Sequence, residues 1–404
     1  MPAVDRRALR HALLYAPAAA IAASAVARSL DEWNDFRGYQ IAGEALRAST
    51  YTDHVSNTWP PFFSLFAAGL VELTRLPLPM ARFLWAAFNA AVFARACVRY
   101  WRAVGGNEAP WWVSPVAALA TAPFLALHLL THQVYALIFA MSIEAFLCAE
   151  KGQEVRGGIW LGIAGAMKVT PALLLPYFLL QRRWKLATTS LALALVCSLS
   201  LVPFLGLRGT VDAHRSWIDR AVRLRGTHGI RNQSIQALVE RLSTGEAKLE
   251  QAGIDPIVPL DGATADRIGK LLSWGLILCA AFALRRVPPV QAAAPLLAVS
   301  VLAVPYCWRT QLIALFPLLL LSLWKLARRP GLLDLVLCLP FFLCMVEREP
   351  GLIGLHGFEL LEGAGLTCAL SLLLVLNALR PGGILQVGST LPPDAFRLEA
   401  RETR

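Results

Sequence analysis

The chain has 404 residues, 56% of them hydrophobic and 16% charged, with a mean hydropathy of +0.54 and a formal net charge of +11. Soluble domains carry about 25% charged residues, so a chain this apolar belongs in a membrane rather than in water. The basic excess is therefore read against a bilayer, and no nucleic-acid partner is expected.

Arg6, Arg7 and Arg10 precede an apolar run at 12–26. That order is shared with signal sequences, but many more apolar runs follow, so a retained first membrane helix is expected. Spanning helices are expected at 11–28, 79–98, 112–130, 134–149, 157–168, 171–182, 186–206, 268–284, 290–305, 311–326, 332–346 and 360–379. The segments 157–168 and 171–182 fall short of the roughly 20 residues a span needs. They read as a helical hairpin broken near Lys168 and Pro171, with a single kinked helix as the alternative. The stretch 61–76 contains Glu72 and Arg75 and is read as a juxtamembrane helix on the outer surface. If it spans instead, 157–182 becomes one helix and the His132 loop moves to the cytoplasm.

Lysine and arginine in short loops set the orientation. The segments this assigns to the cytoplasm, the N-terminus and residues 380–404 among them, carry 20 Lys+Arg and 7 Asp+Glu. Both termini are thus expected inside, and two hydrophilic loops, 29–60 and 207–267, face outward. The tail 381–404 is polar and contains Pro and Gly, as expected of a disordered segment. The expected architecture is all-α and polytopic, with about 12 transmembrane helices in a single membrane domain over 1–380. The setting is the plasma (inner) membrane.

Several polar groups stand out in chain order. Asp35 and Tyr39 are four apart, so they share a face if loop 29–60 is helical there. A carboxylate held at a membrane surface beside aromatic rings can act as a general base; a solvated loop acid or a helix cap is the plainer use. His132 and Gln133 open a membrane segment at its outer end, where they can also simply cap a helix. Lys168 lies in Gly165-Ala166-Met167-Lys168-Val169-Thr170-Pro171. An ionisable residue inside a membrane segment is usually functional, although a lysine can also snorkel to the interface.

The second outer loop begins with six arginines against two aspartates over 207–231, including Arg225 and Arg231. Interleaved Trp217, Ile218 and Leu224 give it the pattern of an interfacial helix facing lipid phosphate. Asn232, Gln233 and Ser234 offer neighbouring hydrogen-bonding groups suited to sugar hydroxyls, with helix capping as the competitor. Trp308 and Arg309 sit in an outer turn, where Arg309 can bind phosphate in bidentate fashion.

The eight cysteines form no CxxC or Cys/His cluster and read as small buried hydrophobes. The motifs GxxxxGK[ST], GxGxxG before a strand, GxSxG and HExxH are absent, as is Asp-x-Asp in the outer loops and tail. No metal site and no cofactor are expected from these residues, and metal dependence stays open.

The order of Asp35 and Tyr39, Trp59-Pro60-Pro61, His132-Gln133-Val134, Met167-Lys168-Val169-Thr170-Pro171, Asn232-Gln233-Ser234 and Pro305-x-x-Trp308 resembles glycosyltransferase family 87. These are polyprenyl-phosphate-mannose-dependent mannosyltransferases with the C-type glycosyltransferase fold. The resemblance runs from about residue 11 to residue 380. It implies an active site on the outer face, a catalytic acid on the first loop and a lipid-linked sugar as substrate rather than cofactor. The sequence departs from the family where Arg309, Thr310 and Gln311 replace Asp-His-His-type residues. It departs again where His132 and Tyr135 replace a Gly before Gln133 and an Asn after Val134.

The expected function is transfer of a sugar, mannose by resemblance, from polyprenyl phosphate to a glycolipid or glycan acceptor in cell-envelope biosynthesis. Asp35 is the expected base. Lys168 with Arg225, Arg231 or Arg309 is expected on the leaving phosphate, and Tyr39, Asn232 and Gln233 on the sugar. The contrasting readings are a transporter or flippase of an anionic lipid or lipid-linked sugar, which Lys168 in a broken helix also fits, and a non-catalytic assembly partner.

Overall fold

The computed structural model describes residues 6–28, 35–52, 59–223, 232–244, 255–336 and 354–380. Every regular element among these is helical, starting with α1 (Arg6–Arg28) and including α4 (Leu78–Ala103) and α5 (Val113–Leu130), and Asn232 and Trp308 share one isolated antiparallel bridge. Four described helices are long and apolar enough to cross a membrane: Leu78–Ala103, Val113–Leu130, Gly262–Leu284 and Arg309–Arg328. A fifth exists if Trp184–Leu199 and Val202–Arg220, bent by 102°, count as one span. The twelve spans expected from the sequence are not confirmed by these lengths. Several of the apolar segments are cut short by breaks. Expected helix 186–206 ends at Leu199, where Pro203 has no N–H to continue the ladder, and a second break follows at Gly206, whose φ of 68° is non-helical. Expected helix 360–379 is split at Gly365, also left-handed with φ 77°. Most of the expected 332–346 lies outside the described residues.

The chain divides into two compact units. One unit comprises residues 22–94 and 124–228. Its outer-loop segment forms helix α2 (Asp35–Arg47), which packs on α3 (Phe62–Leu70). Glycine is required at the crossing: a Cβ at Gly43 would lie 2.6 Å from the Ala67 carbonyl oxygen. Arg47 donates to the Ala68 carbonyl at 2.7 Å and pairs with Glu72, which also pairs with Arg75 at 2.8 Å. Helix α3 and the following 3-10 turn are shorter than a bilayer span.

Further on, α6 (Tyr135–Glu150), α7 (Glu154–Met167), α8 (Leu175–Leu180) and α9 (Trp184–Leu199) form a helical stack. A Cβ at Gly158 would strike the Leu186 carbonyl at 2.6 Å, and one at Gly162 the Ser190 carbonyl at 2.7 Å. These two glycines, four apart, let α7 and α9 approach closely. The register also shows that α7 and α9 run parallel, so the chain must turn back between them. It does so at Lys168, whose backbone is extended (φ −156°, ψ 134°), and again after Leu180.

Helix α10 (Val202–Arg223) carries the start of the arginine-rich segment. Asp212 pairs with Arg208 at 4.0 Å and Arg215 at 3.6 Å, while Leu207, Val211 and Ile218 are exposed, which makes this an amphipathic helix.

The other unit comprises 1–21, 95–123 and 229–404. Its core is Pro289–Leu302, buried at every position, with the span that begins as a 3-10 turn at Arg309–Leu315. Helix Ile235–Thr244 packs on Gly262–Leu284, where a Cβ at Gly269 would meet the Gln236 Cα at 2.9 Å. At one end, buried Asp334 accepts from Lys325 at 2.9 Å, Asn377 at 3.0 Å and Arg380 at 3.2 Å. Sequence reading had placed Asp334 and Lys325 at the ends of apolar spans. The structure ties these charges together, as buried charges require.

Candidate active site

Asp35 opens α2, and its backbone N–H donates to the Thr131 carbonyl at 3.2 Å. That bond ties the helix start to the turn after Val113–Leu130. The same turn delivers Gln133, whose side-chain amide donates to the Asp35 carboxylate. Burial of the carboxylate pushes the Asp35 pKa up to about 6, against the lowering effects of the Lys168 charge and the Gln133 hydrogen bond. The three residues Asp35, Gln133 and Lys168 thus form one group. The Lys168 ammonium also lies 5.6 Å from the centroid of the Tyr135 ring. Lys168 reaches this place because α7 stops there. An uninterrupted helix would carry the chain on past it.

The turn itself has a recognisable build. The His132 N–H bonds to the Leu129 carbonyl at 3.2 Å and the Gln133 N–H to the His128 carbonyl at 3.1 Å. His132 sits between them with φ 55°. This is the paired-bond helix terminus that places a left-handed residue just past the helix, a position that favours glycine. His132 is buried, its carbonyl accepts from Trp85 Nε1 at 2.9 Å, and burial with the nearby Arg82 charge lowers its pKa to about 4. Its role in the structure is to shape the turn that presents Gln133.

Tyr39 lies on the buried face of α2 and is 1% exposed. Its ring meets Trp59 at 4.8 Å, Phe63 at 5.0 Å and Trp85 at 6.2 Å between centroids, each edge to face. Trp59 of the Trp-Pro-Pro turn is therefore part of an aromatic box, and Pro61 starts α3 beneath it. Burial, with the Asp35 charge, raises the Tyr39 phenol well above its ordinary pKa. Sequence reading missed Arg82 and Trp85. The signal for Arg82 was a charge set apart, near the start of its helix, from the later arginines Arg95, Arg99 and Arg102.

In the other unit, Asn232, Gln233 and Ser234 are brought together with Trp308 and Arg309, but their side chains bind backbone. Asn232 donates to the Pro305 carbonyl at 2.8 Å and accepts from the Cys307 N–H at 2.9 Å and the Ser234 N–H at 3.1 Å. Gln233 accepts from the Cys368 N–H at 3.2 Å and donates to the Glu362 carbonyl at 3.4 Å. Ser234 donates to the Pro305 carbonyl at 3.0 Å and caps its helix by accepting from the Ala237 N–H at 3.1 Å. The Gln233 N–H also bonds to the Cys307 carbonyl at 2.7 Å. Fully buried Arg241, which the sequence reading did not single out, donates to the Asn232 and Gly363 carbonyls at 2.6 and 2.9 Å.

Arg309 is buried and lies 3.7 Å from Glu362, which also accepts from Thr367 at 2.5 Å. Glu362 was absorbed into an apolar run when read from sequence. Buried Thr310 and Gln311 follow, and their side-chain polar atoms have no hydrogen-bond partner among the described residues. Trp308 is 38% exposed. Arg225 and Arg231 lie outside the described residues.

The fold and the Asp35 group define a class: an all-helical membrane protein with a carboxylate, an amide and a lysine gathered beside a broken helix. The sequence model of glycosyltransferase family 87 matches residues 57–305, and the chain belongs to that family. It is a membrane glycosyltransferase, which implies a sugar donor and an acceptor. No curated protein and no solved structure matches the chain.

Proposed function

We propose that this protein moves a sugar, mannose, from a polyprenyl-phosphate donor to a glycolipid or glycan acceptor at the outer face of the plasma membrane. The twelve-span architecture with both termini in the cytoplasm belongs to this proposal. So do the outward-facing loops at 29–60 and 207–267. The observation that carries the reaction is the Asp35 carboxylate, held by Gln133 beside Lys168 with its pKa near 6. That value suits a base working near neutral pH.

In the proposed step, the Asp35 carboxylate takes the proton of the acceptor hydroxyl. The hydroxyl oxygen bonds to the anomeric carbon from the face opposite the leaving group. The bond from that carbon to the phosphate oxygen breaks, and its electron pair leaves with the polyprenyl phosphate. Lys168 stabilises the negative charge gathered there. Configuration inverts in this single displacement. Phosphate is a good leaving group, so one base suffices.

Arg309, Arg225 and Arg231 remain proposed contacts for the donor phosphate. Trp308, an exposed member of its turn, is proposed to meet a sugar ring. Asn232, Gln233 and Ser234 are proposed to hold that turn in shape, in place of a direct sugar contact. Tyr39, inside its aromatic box, supports α2 behind Asp35. The test is an assay of Asp35→Asn in vesicles with a polyprenyl-phosphate sugar. The expected result is folded protein without turnover, and near-normal turnover would remove Asp35 from this role.

The transporter reading rests on Lys168 at the break between α7 and the following 3-10 turn, a geometry shared with substrate sites in transporters. Movement of the lipid-linked sugar across vesicles without any glycosylated product would favour it.

A further inference from the structure

At the start of α7, some 20 Å along the helix axis from Lys168, an open groove of about 780 Å³ lies between the α6–α7 and α8–α9 turns. It is lined by Arg156, Arg182, Lys185 and Trp184. All four are exposed, and none of the three cations makes an ion pair or a side-chain hydrogen bond with another described residue. Glu154 also lines the groove and is paired with Arg183 at 3.8 Å, while Arg183 donates to the Ala149 carbonyl at 2.7 Å. The groove is thus built with surplus positive charge. Below it, Trp184, Leu191, Leu195 and Leu199 form one stripe along α9, exposed by 59, 57, 60 and 47%. The close packing of α7 on α9 through Gly158 and Gly162 fixes the two walls.

We propose that this groove binds an anionic phospholipid. The phosphodiester lies among Arg156, Arg182 and Lys185, Trp184 sits at headgroup depth, and an acyl chain lies along the α9 stripe. Charge alone fits any phosphate. The apolar stripe beneath the cations, with Thr188 the one polar residue on it, selects a lipid over a soluble anion. This site is separate from the Asp35 group and does not depend on the glycosyl-transfer proposal.

The test is lipid binding by the full-length protein in detergent, measured by native mass spectrometry with phosphatidylglycerol added. Arg156→Gln/Arg182→Gln/Lys185→Gln should bind it roughly a hundredfold more weakly. Arg285→Gln/Arg286→Gln, which removes two cations from a different helix end, should bind like wild type. Arg182 has φ 59°, a left-handed backbone that glycine adopts more readily. Arg182→Gly should therefore fold at least as well as wild type and still bind the lipid severalfold more weakly. Inorganic phosphate and glycerol phosphate should not compete at concentrations that leave the protein folded. Equal binding by the triple variant and wild type would overturn the proposal. So would equal loss in the Arg285/Arg286 variant, or displacement of the lipid by inorganic phosphate, which would mark a plain anion site.

Discussion

The two polar clusters, one at Asp35 and one at Asn232, read alike in sequence and are built for different work. The side chains of Asn232, Gln233 and Ser234 all bond to backbone, and the result is a clamp on the turn at 305–308. Among the described residues the Asp35 carboxylate has one side-chain donor, Gln133, and the nearby lysine cation. Its pKa is pushed up to about 6, because burial outweighs both. A fully satisfied network rigidifies. A partly satisfied one beside a cation holds a group ready to react. Polar residues thus divide between scaffold and chemistry by where their hydrogen bonds go.

The contrast can be broken by substitution, starting with the largest expected effect. Asp35→Asn keeps the size and the helix but removes the base, and turnover should fall by roughly 10²–10⁴-fold with no loss of folded protein. Lys168→Ala should lower turnover by roughly 10²–10³-fold, with Lys168→Arg retaining part of it. Initial-rate assays with a lipid-linked donor check both. Asn232→Ala should act on the other axis. It leaves the buried Cys307 N–H without its acceptor and takes one of two side-chain donors from the Pro305 carbonyl, which costs roughly 2 kcal/mol of stability. Thermal unfolding in detergent should show the drop, while turnover per folded molecule is largely kept. If turnover fell as in Asp35→Asn with unfolding unchanged, the contrast between the clusters would be gone. The smallest effect belongs to His132→Gly. The left-handed φ suits glycine, so the stability change should stay within about 1 kcal/mol, and Gln133 should still be presented to Asp35.

Much of the Asp35 group was legible in the sequence. Lys168 stood in an apolar segment beside a proline, and Asp35 stood among aromatic residues on an outer loop. Their meeting was not legible, because it depends on the turn at His132 and the reversal at Lys168. The family departure at His132 gains a physical reading: it occupies a left-handed position where glycine is the usual choice. Asn232 was legible as important but not as to use. Its partner at Pro305 lies 73 residues away, and that of Gln233 at Cys368 lies 135 away. A polar triplet carries the same pattern whether it grips a sugar or a backbone turn. Helix lengths were the least legible, since glycines such as Gly365 pass unnoticed in an apolar run until their backbone is seen.

The most direct test of Asp35 as the base is the pH dependence of the initial rate in wild-type protein and Asp35→Asn. A carboxyl group whose folded pKa is raised to about 6 is increasingly protonated as pH falls through that value, and its protonated form cannot accept the acceptor's proton. The wild-type rate should therefore be level above pH 7, reach half its plateau near pH 6, and be roughly tenfold down at pH 5. The residual rate of Asp35→Asn should lack this acid limb. A wild-type rate unchanged between pH 5 and 7, or the same limb persisting in Asp35→Asn, would contradict the account.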